Sequence, residues 1–309
     1  MTYSRESNTV KSYMAAYNKW EEWCHKFDAT PIPAIPSSIA VYILHLIQSN
    51  LNVATIKNFY YSIKYLHNQA GLSDPTSNVL VSNMYEAATR LSKKVTNKKH
   101  PITVDHLIRL HALLVAKTEV KLKDLRLMVI CLLCFTGFLR ISELLHLRHC
   151  DVQVFDTHLK LFVEKSKTDV YRDGQWVLIS KATSAICPVQ NLILYLQQIE
   201  SSVGDKTNFI FRSIAVSKGN PDCLRQLNVP ISYSTIRDQF LTSLTKIGLP
   251  CGDYGLHSLR SGGASGAANA GISDRLFKRH GRWRSETAKD GYVQDNEEAL
   301  LSVSRALLL

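Results

Sequence analysis

Five side chains beyond residue 135 are of types that act on phosphate esters, and each stands in a segment with a distinctive local pattern. They are Arg140 in TGFLRISELLHL, Lys167 in KSKTD, His257 and Arg260 in LHSLRSGGAS, and Tyr292 in KDGYV. Guanidinium groups bind phosphate oxygens through paired hydrogen bonds, and imidazole transfers protons near neutral pH. A tyrosine hydroxyl can attack phosphorus once its proton is drawn off. These residue types suit the transfer of a phosphodiester between hydroxyl groups.

Arg140 follows a segment that predicts a buried helix. The run CLLCFTGF is apolar, Gly137 ends it, and an amphipathic turn of leucines comes after the arginine. An arginine fixed between packed helices can project rigidly into a cleft. The alternative is an ion pair at the protein surface, for which Glu143 is the obvious partner.

Lys167 lies in a predicted β-hairpin. The segment HLKLFVEKSKTDVYRDGQWVLIS indicates two strands around a polar turn. A flexible ammonium near the tip of such a hairpin can reach a leaving oxygen. Lys165 is a competing candidate on the same strand face, two residues away. A solvated turn lysine is the alternative without chemistry.

His257 and Arg260 are three residues apart, which on a helix brings both side chains to one spot. The glycines and alanines that follow, in SGGASGAANAG, predict a slim helix that permits close approach. A histidine stacked on the first turn of its own helix is the alternative for His257. Trp283 and Tyr292 are nine residues apart, but the chain has 13 tyrosines, so Tyr292 alone is a weak signal.

In this order and spacing, the segments resemble those of the tyrosine recombinase family, also called the phage integrase family. TGFLRISELLHL is similar to the family's first-arginine segment, HSLRSGGAS to its H-x-x-R segment, and Gly281 to Tyr292 to its nucleophile segment. The resemblance covers nearly the whole chain. GRWRSETAKDGYV looks more like eukaryotic mobile-element recombinases of the Crypton and DIRS type than like bacterial chromosome-resolution enzymes.

The resemblance implies a site-specific recombinase or integrase that cuts and rejoins DNA through a covalent 3′-phosphotyrosyl intermediate, without metal, ATP or another cofactor. The sequence contains neither a P-loop signature nor a paired-carboxylate cluster. The implied roles are phosphate binding for Arg140 and Arg260, protonation of the leaving 5′ oxygen for Lys167, assistance in proton transfer for His257, and nucleophilic attack for Tyr292.

Trp283 would fill the position nine residues before the nucleophile, where most family members have histidine and some have tryptophan. Its indole N–H could bind a phosphate oxygen. His280, three residues earlier, could be that histidine shifted in register, although the nine-residue spacing favours Trp283.

The elements around these segments predict a mainly α protein with a small antiparallel β-sheet. We expect a helical core-binding domain over residues 1–92, a basic linker over 93–101 and an α+β catalytic domain over 102–309. The helical patterns lie near residues 9–27, 39–46, 55–70, 79–91, 103–117, 122–137, 184–200 and 232–247. Ser37 or Ser38 is expected to cap the second helix.

Composition agrees with a nucleic-acid partner. The net charge is +11 and the pI about 9.3, which favours a polyanion such as double-stranded DNA, with an ordinary basic enzyme as the alternative. The seven cysteines are mostly scattered, and the C-x-x-C pair Cys131 and Cys134 lies in an apolar run that favours buried helix packing over a metal site. With an N-terminus that has no apolar signal segment, they predict an intracellular protein with free thiols and no membrane span. We expect it in the nucleus if the host is eukaryotic, and otherwise in the cytoplasm.

The C-terminal segment QDNEEALLSVSRALLL predicts a helix with an apolar face that includes Leu300, Leu301 and Leu307. This face could close the core of its own domain. The resemblance implies instead that it docks on a neighbouring protomer, in a tetramer of C-shaped clamps on duplex DNA. Two other functions remain open: a type IB topoisomerase-like enzyme, and a domesticated mobile-element protein that binds DNA without cutting it.

Overall fold

The computed structural model describes residues 7–91, 98–164, 174–200, 204–215 and 222–307. The chain divides into two compact units, Met1–Asn97 and Lys98–Leu309. Residues 93–97 of the predicted linker lie outside the described residues, so the domain boundaries stay predictions.

The first unit consists of four helices around an aromatic core. These are α1 (Ser7–Lys26), α2 (Pro36–Gln48), α3 (Val53–Gln69) and α4 (Val79–Leu91). Trp20, Tyr42 and Phe59 meet in the core, with ring centroids 5.2 Å apart for Trp20 and Tyr42 and 4.6 Å apart for Tyr42 and Phe59. Helices α1, α2 and α3 thus each bury the apolar face of the helix in one shared aromatic core.

The start of α2 differs from the prediction. Pro36 is the first helical residue and Ile35 precedes it, so Ser37 and Ser38 lie inside the helix and do not cap it. Proline suits this position because its fixed φ is helical and its missing N–H has no partner in the first turn.

The second unit is built around a helix that is buried on all sides. Helix α6 (Leu122–Thr136) has every residue from Leu125 to Cys134 buried, and Gly137 forms its C-cap. It packs against the neighbouring helices α5, α8 and α10. The other helices of this unit are α5 (Val104–Leu114), α7 (Ile141–Leu145), α8 (Pro188–Gln198), α9 (Tyr233–Lys246), α10 (His257–Asn269), α11 (Asp274–Gly281), α12 (Glu286–Asp290) and α13 (Glu297–Leu307).

A three-stranded antiparallel sheet accompanies these helices, in the order β1 (Val152–Val154), β2 (His158–Val163), β3 (Gln175–Ser180). Strands β2 and β3 are the predicted hairpin, and Leu161 pairs with Val177 on its buried face. A second small sheet joins β4 (Ile214–Ala215) to β5 (Cys223–Leu224). The predicted fold class, mainly α with a small antiparallel sheet, is confirmed.

Helix α10 approaches two other backbones very closely. A Cβ on Gly262 would lie 2.0 Å from the carbonyl oxygen of Ile102, and one on Gly263 would lie 1.9 Å from that of Phe135. The backbone N–H of Ile102 also donates to the Ser258 carbonyl at 2.9 Å. The glycine pair therefore allows α10 to pack against α6 and against the chain that leads into α5.

The chain changes direction where α11 ends. Helix α11 ends at Gly281, and Arg282 follows in the left-handed region, with φ of 58°. No helix in the described ranges is both long enough and apolar enough to cross a membrane.

Candidate active site

Arg140 stands at the first turn of α7 and is anchored by Glu143. Its Nη1 donates to Glu143 Oε1 at 2.6 Å, and its backbone N–H donates to Oε2 at 2.9 Å. The ion pair considered from the sequence therefore exists, but it is not a surface pair. Only 2 % of the Glu143 side chain and 13 % of the Arg140 side chain are exposed.

Glu143 is the shared counter-ion of three arginines. Besides Arg140, it accepts a hydrogen bond from Arg282 Nη2 at 2.8 Å, and Arg260 Nη1 lies 3.9 Å away. Burial would raise the pKa of Glu143, but Arg282 and Arg140 outweigh it and hold this pKa below its usual value. Three guanidinium groups around one carboxylate leave two positive charges in excess, which favours an anionic ligand.

Arg260 is the most deeply buried of the three, with 1 % of its side chain exposed. It donates through Nη1 to the Phe138 carbonyl and through Nη2 to the Gly281 carbonyl at 2.7 Å. Its guanidinium carbon lies 4.9 Å from the ring centroid of Trp283 and 4.9 Å from that of Tyr292. Burial, with the charge of Arg140, lowers its pKa to about 10, so it stays charged at neutral pH.

Tyr292 lies half-buried beside the start of α10. Its backbone carbonyl accepts from Ser265 Oγ at 3.4 Å, and its N–H donates to the Lys289 carbonyl at 3.0 Å. The exposed ring of His257 is 6.3 Å from the tyrosine ring, in an edge-on orientation. His257, Arg260 and Tyr292 are thus brought together.

Trp283 joins this group. Its ring is buried and stacks on Phe277 at 5.1 Å, and it lies 5.7 Å from the ring of Tyr292. Its Nε1 is buried, and no acceptor for it occurs among the described residues. A buried donor without a protein acceptor is uncommon, and it suits a ligand that brings an oxygen.

His280 has a different environment. Its Nε2 donates to the Thr136 carbonyl at 2.8 Å, and its ring meets Phe138 edge-on at 4.7 Å. Burial lowers its pKa, so the neutral ring is favoured. The contacts of His280 tie α11 to the end of α6.

The two lysine candidates cannot be compared with these side chains. Lys165 and Lys167 both lie in 165–173, outside the described residues. The site also contains Arg282, which the sequence analysis did not single out. The sequence analysis likewise did not predict that Glu143 would be shared by three arginines. The signal for Arg282 was its position directly before Trp283 in GRWR.

Comparison with known proteins gives consistent matches. No protein-family model matches the chain. An integrase/recombinase XerD homolog from Selenomonas ruminantium is 28 % identical over 295 residues, which cover 94 % of this chain and 82 % of that protein.

Solved structures with the same fold include several DNA complexes. XerH site-specific recombinase bound to a palindromic difH substrate has a TM-score of 0.66 at 15 % identity, covering 95 % of this chain and 78 % of that one. The Tn1549 transposon integrase with transposon right-end DNA has a TM-score of 0.62 at 17 % identity, covering 99 % and 95 %. A lambda integrase dimer bound to a COC′ core site has a TM-score of 0.58 at 18 % identity, covering 96 % and 92 %.

The fold is therefore the one found in these recombinases and integrases. Sequence similarity to a recombinase over 94 % of the chain, together with this fold, supports an enzyme of the tyrosine recombinase kind. The narrower resemblance to the Crypton and DIRS type stays a prediction.

Proposed function

We propose that this protein cuts and rejoins double-stranded DNA at specific sites through a covalent bond between Tyr292 and a 3′ phosphate. The observation that carries this proposal is the placement of Tyr292, whose ring lies 4.9 Å from the Arg260 guanidinium and 6.3 Å from the His257 ring. These distances support the roles proposed here for Tyr292 as nucleophile, Arg260 as phosphate-binding cation and His257 as proton-transfer group.

In the proposed cleavage step, the Tyr292 hydroxyl oxygen attacks the scissile phosphorus and the bond from phosphorus to the 5′ oxygen breaks. Arg140 and Arg260 bind the non-bridging oxygens and stabilise the negative charge that builds up on them. The indole N–H of Trp283 donates to one of these oxygens, which supplies the acceptor that this buried group otherwise lacks.

Two protons must move in this step. The proton of the Tyr292 hydroxyl passes to His257, whose imidazole can accept it near neutral pH. The leaving 5′ oxygen takes a proton from Lys167, the lysine that the family resemblance favours over Lys165. Rejoining is the reverse: a 5′ hydroxyl attacks the phosphotyrosine and releases Tyr292.

The phosphotyrosine ester retains the free energy of the broken phosphodiester. Rejoining therefore needs no nucleotide hydrolysis, and the arginine pair provides the charge stabilisation that metal ions provide in other phosphoryl transferases. The proposed reaction thus has no ATP or metal requirement.

The proposed substrate is duplex DNA. The net charge of +11 favours binding to the phosphate backbone, and such binding weakens as salt rises because counterions are released. A protein with this substrate acts inside the cell, and in the nucleus if the host is eukaryotic.

We also propose a tetramer on DNA, joined through α13. Leu300, Leu301 and Leu307 on this helix are exposed, so they present an apolar surface to a neighbouring protomer. A solved structure of lambda integrase is a tetramer bound to a Holliday junction, with a TM-score of 0.58 to this chain.

Nicked duplexes test the proposed function directly. The protein and its Tyr292→Phe variant are mixed with a pool of nicked duplexes, in which the cleaved end diffuses away and cannot be rejoined. We expect an SDS-resistant protein–DNA adduct with the parent and none with Tyr292→Phe, while salt-sensitive DNA binding is the same for both.

The other outcomes identify the alternatives. DNA binding without an adduct on any duplex would contradict the proposal and indicate a DNA-binding protein that no longer cuts. An adduct formed by a monomer that relaxes supercoils without exchanging strands would indicate a topoisomerase-like enzyme.

A further inference from the structure

Arg282 lies next to Trp283 in a backbone conformation that side chains rarely adopt. Its φ of 58° and ψ of 37° are left-handed, a region that favours glycine because a Cβ there crowds the neighbouring carbonyl. The residue is nevertheless an arginine, and it is buried. A strained and buried charge persists only where the surrounding structure holds it in place, so its contacts reveal its role.

The guanidinium of Arg282 is bound by acceptors of the protein itself. Nη1 donates to the carbonyls of His280 at 3.1 Å and Gly137 at 3.4 Å. Nη2 donates to the Phe138 carbonyl at 3.2 Å and to Glu143 Oε2 at 2.8 Å. Each terminal nitrogen of Arg282 thus has two protein acceptors, whereas each of those of Arg260 donates to one among the described residues. Arg282 is therefore positioned to act on other side chains and not directly on a substrate.

Two of these acceptors also serve the proposed phosphate-binding arginines. The Phe138 carbonyl accepts from Arg260, and Glu143 accepts from the side chain and the backbone of Arg140. Without Arg282, the Glu143 carboxylate would keep only Arg140 and Arg260 as cationic neighbours. Glu143 would then be held by fewer contacts and would take up a proton more readily, and Arg140 and Arg260 would lose the fixed charged acceptor that directs them toward a phosphate.

We propose that Arg282 is a positioning residue for strand cleavage, which binds Glu143 and the Phe138 carbonyl so that Arg140 and Arg260 remain directed toward the scissile phosphate. This inference rests on the proposed function and adds to it. Arg282 contacts neither substrate nor nucleophile in this role, and it acts only through its neighbours.

The ionisation of Glu143 distinguishes positioning from simple packing. The groups that face this carboxylate are Arg140 on its own helix, Arg260 from α10, Arg282 after α11 and the thiol of Cys134 from α6. Burial raises the pKa of Glu143, and Arg282 is the strongest of the charges that lower it. Removing Arg282 therefore raises this pKa, so that Glu143 takes up a proton at a higher pH than in the parent and then no longer holds Arg140 through a charge.

Arg282→Gly is the main test variant because glycine removes the guanidinium and also relieves the left-handed strain. Cleavage of a nicked duplex that the parent cleaves is followed at saturating protein, between pH about 5 and about 8. We expect a rate about 100-fold below the parent at neutral pH, with a Kd for DNA within about threefold. The rate should fall further as the pH decreases toward 5, where the parent changes less.

Three further variants complete the design. Arg282→Lys keeps a cation but cannot reach all four acceptors, so we expect it to be about tenfold slower than the parent, without the added acid dependence. Adding Glu143→Gln to Arg282→Gly removes the titrating carboxylate, and the added pH dependence should vanish. Arg284→Gln, an exposed neighbour with the same loss of charge, should cleave at the parent's rate.

The outcomes separate this inference from the proposed function. If the parent forms the adduct and Arg282→Gly cleaves as fast, the inference is wrong and the proposed function stands. A slow Arg282→Gly with the parent's pH profile would show a merely structural role and would overturn the inference as well. If Arg282→Gly does not fold, Arg282→Lys carries the test, and a rate equal to the parent's overturns it. No adduct from the parent refutes both.

Discussion

Replacing Trp283 with phenylalanine separates the hydrogen-bonding role proposed for the indole from its role in packing. The ring lies between Phe277 at 5.1 Å and Phe138 at 5.9 Å, and its Nε1 is buried without an acceptor among the described residues. Phenylalanine keeps an aromatic ring in this cluster and removes only the N–H and part of the ring area.

Two opposing effects determine the stability of this variant. The smaller ring leaves a partial cavity, which costs about 1–2 kcal/mol. Removing a buried donor that has no partner returns about 1–3 kcal/mol. We therefore expect the free energy of unfolding of Trp283→Phe to lie within about 1 kcal/mol of the parent's. Cleavage should be affected far more, since the loss of one preorganised donor to a charged transition state lowers a rate by about 10²–10³-fold.

The assay is the rate of adduct formation on a nicked duplex, together with chemical denaturation of the free protein. Trp176→Phe is the matched control: it makes the same chemical change on β3, where the tryptophan is 45 % exposed. We expect the control to cleave like the parent. A Trp283→Phe protein that folds normally and cleaves within about threefold of the parent would refute the reasoning that a phosphate oxygen accepts this N–H.

Further predictions concern stability. Gly262→Ala should unfold the second unit or lower its stability by several kcal/mol, because the added Cβ would lie 2.0 Å from the Ile102 carbonyl oxygen. Gly266→Ala on the same helix has open space around it and should stabilise by about 0.5–1 kcal/mol, and thermal unfolding compares the two. A parent-like Tm for Gly262→Ala would contradict this packing. Burial lowers the pKa of His280 in the folded state, so the unfolded state binds more protons and the stability of the parent should fall as the pH drops below about 6.5. His280→Gln should weaken this dependence in denaturation curves measured from pH about 5 to about 8, and an unchanged slope would contradict the assignment.

Much of the fold followed from local patterns in the sequence. The predicted fourth helix, Val79–Leu91, has those bounds in the structure, and the hairpin joins β2 to β3. The sequence reasoning missed strand β1 and the pair β4 and β5, which have only two or three residues each. Elements that short have no periodicity of their own, and their pairing depends on which chain segments tertiary packing brings alongside.

The sequence singled out Arg140, His257, Arg260, Trp283 and Tyr292, which the structure brings together, but it did not predict the electrostatics around them. Glu143 was considered as a surface partner for Arg140, because three residues of separation on a short amphipathic turn suggest no more than that. Its burial depends on Arg260 and Arg282, which are more than a hundred residues away along the chain and meet it only through α10 and the end of α11. No local pattern reports a carboxylate shared among distant arginines.

A single backbone conformation separates Trp283, whose ring lies 5.7 Å from that of Tyr292, from His280, which binds the Thr136 carbonyl. Had α11 continued as a helix, residues 280 and 283 would lie one turn apart on the same face, and either ring could approach Tyr292. The helix instead ends at Gly281, and the left-handed Arg282 redirects the chain. A Cβ on Gly281 would lie 1.8 Å from the Trp283 ring, so the indole folds back over this glycine. His280 is left facing the end of α6, where it fixes the helix that positions the tryptophan.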